Sequence, residues 1–202
     1  MTGVSLNCLD MSEELKKEGR RVRRTKKLLT QALTELLQKK QVNEITVKEL
    51  TDLADMNRGT FYLYYKDIFD MLEKIEDGLF EALDEIVSLH EHDDVSQQTK
   101  PILLDLFRFI EENQEMCRVL LSPHGDMNFL HRLNKVVREK CLQMWPNEEE
   151  KKDVTFEYHY SFVVYGCVGV FRTWLNSKCQ EPAEKMADMA DAMIRRGSLS
   201  IA

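Results

Sequence analysis

The sequence predicts an all-α fold, with a small helical head followed by a larger helical bundle. Apolar residues recur at helical spacing along most of the chain, as in the series Leu29, Leu33 and Leu36. The 8 Gly and 4 Pro among 202 residues are too few for the many turns of an all-β fold. A hydrophobic content of 43% suits one or two compact domains with a real core.

The first predicted helix runs from about Val22 to Lys40, with its apolar residues on one side. Residues 1–19 before it have no strong periodicity, and we expect a flexible tail there. Residues 16–27 carry 8 Lys and Arg, with Glu18 as the only acid. Such a run usually forms a solvated face, but its place just before the motif described next favours contact with phosphate or the minor groove.

Residues 45–72 (ITVKELTDLADMNRGTFYLYYKDIFDML) carry the most specific pattern in the chain. Thr46 can cap a first short helix, whose apolar residues follow at helical spacing. Asp55-Met56-Asn57 breaks this pattern, and Asn57 can cap a second short helix from Arg58 to about Tyr65. Two short helices joined in this way form a helix-turn-helix, whose second helix can lie in the DNA major groove.

The second short helix carries hydroxyl and basic side chains and no acid until Asp67. These groups suit phosphate oxygens and base edges, whereas a helix that only packs usually shows acids on its exposed face. We expect Thr60 and Tyr64 to contact base edges, and Tyr62 and Lys66 to contact phosphate. Phe61 and Tyr65 are expected to point inward. The expected contacts from this helix are Arg58, Gly59, Thr60, Tyr62, Leu63, Tyr64 and Lys66.

The order of these residues resembles the DNA-binding domain of the tetracycline-repressor (TetR) family of bacterial regulators. The resemblance runs from about Arg24 to Leu72, and we include Arg24 and Thr46 among the expected DNA contacts. It implies a three-helix head with a helix-turn-helix, followed by a helical domain that binds an effector and dimerises. We therefore expect a tail at residues 1–19, a DNA-binding domain at 20–66 and an effector and dimerisation domain at 67–202.

The chain departs from the family pattern at several positions. Asp55 stands where the family often has Gly, and Tyr64 stands where it often has His. Asp tolerates a left-handed turn, so we expect the turn to be kept. Asp67-Ile68-Phe69 stands where the family often has Ser-Lys-Glu, so a common phosphate contact is missing, and we expect Lys66 to replace it.

Charge is unevenly distributed along the chain. A net charge of -7 would by itself argue against a nucleic-acid partner. Residues 1–66, however, carry 13 Lys and Arg against 9 Asp and Glu, and the remainder carries 15 against 26. A basic end on an acidic body is expected where only that end meets phosphate.

The remaining residues predict helices joined by short loops. Asp67 is expected to cap a long helix that ends near His90, followed by a polar loop at residues 91–99. Further helices are predicted at about residues 101–112, 114–121, 127–145, 148–177 and 182–195.

The helix predicted near residues 148–177 is apolar almost all round, which is typical of a helix buried on more than one side. We expect one side to pack in its own domain and another against a second subunit, with Gly166 and Gly169 allowing a close crossing. The family resemblance implies a dimer built from the last two helices. Our predicted interface residues are Tyr160, Val164, Cys167, Phe171, Met186, Met189 and Met193.

Aromatic residues in the same domain can form either its core or the lining of a small-ligand cavity. We expect a small, largely apolar effector to bind there, most readily a cationic or neutral one, given the acidic surroundings. The residues proposed to line the cavity are Phe107, Cys117, Trp145, Tyr158, Phe162, Tyr165 and Trp174.

Other classes of site find little support. The 5 cysteines lack paired spacing, which favours reduced thiols and a cytoplasmic location. The longest apolar run, residues 160–171, is too short to cross a bilayer, and no signal-peptide core is evident. His90-Glu91-His92-Asp93-Asp94 matches no usual zinc spacing, and no catalytic motif appears, so we expect no metal, no cofactor and no enzyme activity.

Our preferred hypothesis is a homodimeric repressor that binds a near-palindromic operator in double-stranded DNA and is released by a small-molecule effector. One alternative is a regulator or co-activator that responds to a protein partner. Another is a helical interaction protein that has lost DNA binding. Tyr64 and Ile68 favour this alternative, because both depart from the family pattern.

Overall fold

The computed structural model describes residues 19–90, 99–122, 127–144 and 154–198. Every regular element in these ranges is a helix, which confirms the all-α prediction. A short 3-10 helix lies at Val42–Glu44. The α-helices are α1 (Arg20–Leu37), α2 (Val47–Leu53), α3 (Arg58–Tyr62), α4 (Ile68–Leu89), α5 (Lys100–Glu112), α6 (Gln114–Leu120), α7 (Met127–Met144), α8 (Val154–Asn176) and α9 (Ala183–Ser198).

Most predicted helices agree with these bounds to within a few residues, and one differs in a way that concerns function. Helix α3 ends at Tyr62 instead of continuing to Tyr65. The Tyr64 N–H donates to the Phe61 carbonyl at 3.0 Å, a three-residue bond that tightens the chain after the helix. The predicted start of α8 near residue 148, the tail before Gly19 and most of the predicted loop at 91–99 lie outside the described residues.

The chain divides into two compact units, one ending at Ala82 and one beginning at Leu83. The division lies inside α4, beyond the boundary after residue 66 that the sequence suggested. In the first unit, all four helices contribute side chains with no solvent exposure. These are Leu29 and Leu33 of α1, Leu50 of α2, Phe61 of α3 and Met71 of α4.

In the second unit, α5 packs most extensively against α9, and the small residues Ala183, Ala187 and Ala190 of α9 are buried. Trp174 of α8 is buried, and its indole N–H donates to the Glu181 carbonyl at 2.8 Å, which secures the turn before α9. None of the described helices combines the length and hydropathy needed to cross a lipid bilayer.

Candidate nucleic-acid interface

The helix-turn-helix is built by the capping residues that the sequence suggested. Thr46 Oγ1 accepts the Glu49 N–H at 3.2 Å and starts α2. Asn57 Oδ1 accepts the Gly59 N–H at 2.8 Å and starts α3. Between the helices, Asp55 has a φ of 52°. The left-handed turn is therefore kept with Asp in place of Gly, as predicted.

The cap at Asn57 fits closely around Gly59, because a Cβ added there would lie 3.3 Å from Asn57 Oδ1. We predict that Asn57→Ala lowers the free energy of unfolding by about 1 kcal/mol, since one helix N–H loses its acceptor. Chemical denaturation of the full chain measures the change. Asn43→Ala, at an exposed position in the 3-10 helix, is the control and should change stability little. Equal stability of the Asn57→Ala variant and the parent would contradict the capping role.

The expected DNA contacts are exposed or partly buried residues of the first unit. Thr60 and Tyr64 are partly buried, and Phe61 and Tyr65 are buried, as the inward positions require. Tyr62 is 58% exposed and Leu63 is 75% exposed. The exposed members of the set are Arg24, Thr46, Arg58, Gly59, Tyr62, Leu63 and Lys66.

Side chains from α4 hold the segment that follows α3, and the sequence alone did not reveal these contacts. Asp70 Oδ2 accepts the backbone N–H of Lys66 at 2.9 Å. Lys74 Nζ donates to the Tyr64 carbonyl at 3.1 Å and to Asp70 Oδ2 at 2.9 Å. The only sequence signal was the four-residue spacing of Asp70 and Lys74, which places them on one helical face.

Aromatic rings and cations reinforce this arrangement. Lys26 Nζ of α1 lies 5.9 Å from the centroid of the Tyr64 ring, and Lys74 Nζ lies 5.5 Å from that of Tyr65. Both distances allow cation–π attraction. The hydrogen bond from the Lys66 backbone, followed by that from Lys74, lowers the pKa of Asp70. Asp70 is thus held in its charged form, in which it can neutralise Lys74.

Basic side chains also line the start of α1. Arg20, Arg21, Arg23 and Arg24 are exposed, and the first turn of this helix contains no acid. Lys16 and Lys17 of the predicted basic run lie outside the described residues. The described part of the run therefore presents guanidinium groups to solvent, which suits phosphate.

The second unit presents an exposed apolar face on α8 and α9, which we call the α8–α9 face. Its residues on α8 follow each other at helical spacing: Val154, Tyr158, Phe162, Tyr165 and Gly169. Met189 and Met193 of α9 are exposed as well. A Cβ at Gly166 or Gly169 would meet no heavy atom within 4 Å, so packing within this chain does not require glycine at either position.

Several residues that the sequence assigned to the cavity or to the dimer interface lie on the other side of their helix. Tyr158, Phe162 and Tyr165, proposed to line a cavity, are 74%, 64% and 64% exposed and so do not point into the interior of the chain. Tyr160 and Met186, proposed for the dimer interface, are instead buried, and the Tyr160 hydroxyl donates to the Asn134 carbonyl at 2.9 Å. The helical phase of α8 is offset from our assignment because both faces of this helix are apolar.

The interior of the second unit contains three of the other proposed cavity residues. Phe107, Cys117 and Trp174 are buried, and the Phe107 and Trp174 rings meet edge to face at 5.2 Å. Phe171, proposed for the dimer interface, packs on Phe107 with a ring separation of 4.8 Å. Val164 and Cys167 are partly buried, and Trp145 lies outside the described residues.

His90 is the one member of the predicted His and acid cluster that the structure describes. Its Nε2 lies 2.9 Å from Asp105 Oδ2, and its side chain is mostly buried. Residues 91–94 lie outside the described ranges. Within those ranges, no group of three or more His, Cys, Asp or Glu side chains is arranged to hold a metal.

Comparison with known proteins assigns the family. The TetR-type family model for the C-terminal region of transcriptional regulators matches residues 97–196, about half of the chain. The chain belongs to the TetR family. Its members are transcriptional regulators and not enzymes, as the sequence led us to expect.

Individual relatives of this TetR-family chain are distant. YxbF of Bacillus subtilis (strain 168), an uncharacterized HTH-type transcriptional regulator, is 24% identical over 165 residues, which cover 78% of this chain and 41% of YxbF. This chain therefore spans about two fifths of the length of YxbF. DhaS of Lactococcus lactis subsp. lactis (strain IL1403), the HTH-type transcriptional activator of the dhaKLM operon, is 27% identical over 137 residues, which cover 68% of this chain and 67% of DhaS.

Solved structures share the fold. The fatty acid degradation regulator FadR from Bacillus halodurans aligns with a TM-score of 0.62 at 14% identity. The alignment covers 88% of this chain and 96% of that protein. At this level of identity, the likeness extends to the fold alone.

Proposed function

We propose that this TetR-family chain is a homodimeric repressor that binds a near-palindromic operator through α3 and is released by a small-molecule effector. The observation that carries the DNA-binding part is the surface of α3 and the residues after it. Hydroxyl and basic side chains there are exposed or partly exposed, while Phe61 anchors the helix from behind. Such a surface offers donors to phosphate and to base edges together.

The α8–α9 face supports the dimer. Several aromatic and Met side chains are exposed on these two helices, and exposed apolar patches commonly mark protein interfaces. We assign a second copy of this chain as the occupant, because a near-palindromic operator requires a two-fold dimer. Gly166 and Gly169 leave room for a close crossing with a helix of the second copy, and packing inside the protomer does not require glycine at either position.

We expect the effector to bind beside the buried aromatic residues of the second unit, which include Phe107 and Trp174. A ligand that binds the DNA-free form more tightly must weaken DNA binding by the same factor. A thermal-shift screen of neutral and cationic apolar metabolites, followed by operator release with each hit, tests this. A screen without any stabilising compound would count against the effector.

A second candidate function is activation of transcription. It is favoured by the similarity to DhaS, which is named as an activator of the dhaKLM operon. A reporter gene placed behind the selected operator distinguishes the two, since deleting the regulator raises expression for a repressor and lowers it for an activator.

DNA binding is tested with duplexes selected by the chain from a random pool. We predict that Lys66→Ala weakens binding to all sequences about equally and reduces the salt slope by about one unit, whereas Thr60→Ala relaxes specificity at one base step. Fluorescence anisotropy over a salt series measures both effects. Lys48→Ala, which removes an exposed ammonium from α2, serves as the comparison for charge loss alone. A parent chain without salt-dependent duplex binding would overturn the proposed function.

A further inference from the structure

Asp70 places a negative charge close to the surface that we expect to bind DNA. Asp70 lies against the backbone of Lys66, within the surface proposed to meet DNA. A carboxylate in that place repels phosphate, so simple electrostatics predicts that its removal would strengthen DNA binding. Its contacts suggest the opposite role, because one carboxylate oxygen accepts hydrogen bonds from both the Lys66 N–H and Lys74 Nζ.

We propose that Asp70 and Lys74 are positioning residues that hold residues 64–66 in the geometry used for specific DNA contact. The proposal rests on the DNA-binding function proposed above. Helix α3 ends at Tyr62, and the N–H groups of Tyr64 and Tyr65 both donate to the Phe61 carbonyl at 3.0 Å. The Lys66 N–H and the Tyr64 carbonyl are instead held by the two α4 side chains, which restrain the segment at both of its ends.

The beginning of α4 makes this restraint rigid. Asp67 Oδ1 accepts the Asp70 N–H at 2.8 Å, so the residue that follows the segment caps the helix that carries Asp70. The Asp70 side chain is only 16% exposed, and Ile68 and Met71 in the same helical turn are buried. A displacement of residues 64–66 would therefore break contacts to a well-packed helix. Lys74 is half-exposed, and its charge is offset by Asp70.

The test uses the full chain and its selected operator, with random duplex DNA as the nonspecific probe. Asp70→Ala is expected to weaken operator binding about tenfold while changing nonspecific binding much less. Glu73→Ala is the matched control, because it removes an exposed acid from the same helix that shares none of these contacts. It should leave operator binding unchanged or slightly stronger. Operator binding of Asp70→Ala that is as strong as that of Glu73→Ala overturns the proposal.

A cycle of combined substitutions separates positioning from a purely structural role. If Asp70 acts through the side chains of Tyr64 and Lys66, the effect of Asp70→Ala should largely disappear in a background that carries both Tyr64→Ala and Lys66→Ala. Equal losses in both backgrounds would overturn the proposal. Asp70→Asn keeps the side-chain size and replaces Asp70→Ala if that variant does not fold; it should also weaken operator binding, because the ion pair with Lys74 is lost. A parent chain that binds no DNA would instead refute the proposed function itself.

Discussion

Phe61→Ala is expected to destabilise the first unit by about 3–5 kcal/mol and to abolish operator binding. Phe61 has no solvent exposure, and its ring lies 5.5 Å from that of Tyr65. Removing it leaves a cavity beneath α3, a helix too short to hold its position without tertiary packing. Since whole domains are stable by only about 5–15 kcal/mol, this loss is a large fraction of the total. Hydrogen exchange in peptides from α1 to α4 measures it locally.

The neighbouring residue provides the control for Phe61→Ala. Tyr62 is 58% exposed, so Tyr62→Ala should cost less than about 1 kcal/mol and still weaken DNA binding. The two substitutions thus separate the packing of α3 from its contact with DNA. Exchange protection that is equally reduced in both variants would mean that Phe61 is not the anchor of this helix.

Gly169→Asp is expected to convert the proposed dimer into monomers and to lower operator affinity by at least about a hundredfold. The physical reason is that a carboxylate would be buried in an apolar helix crossing, and that one subunit can contact only one half of the operator. Sedimentation velocity at micromolar concentration measures the dimer, and anisotropy with the selected duplex measures the affinity. Gln180→Glu, which adds the same charge at an exposed position in the turn after α8, should do neither.

Gly169→Ala gives a sharper version of the same test. Ala favours a helix over Gly by about 1 kcal/mol, and its Cβ would meet nothing within this chain. A protomer on its own should therefore become more stable, whereas a close crossing of two copies should become weaker. A variant that gains stability and remains fully dimeric would show that the crossing does not need glycine at this position. A parent chain that is monomeric would contradict the proposed dimer.

The helix-turn-helix of this protein could be predicted from its sequence, because its caps and its turn are formed by neighbouring residues. Thr46 and Asn57 act as caps through their own side chains, and Asp55 takes the left-handed turn that its side chain tolerates. Phe61 is buried because it is the apolar residue on the inner side of a short helix. The caps and the turn depend on neighbours within about four residues, and the inward side of a short helix follows from its apolar position, so the pattern of the chain was sufficient to predict them.

Features that depend on distant residues were decided only by the tertiary structure. Helix α8 is apolar on both sides, so its sequence contained no signal for which side meets its own domain. Packing of Phe107 against Phe171 and Trp174 settles this and leaves Tyr158, Phe162 and Tyr165 on the outside. The bond from Lys74 Nζ to the Tyr64 carbonyl, ten residues away, likewise follows from no periodicity in the sequence. Periodicity predicts that a segment is helical and which of its sides are apolar, but the partner helices determine which apolar side is buried.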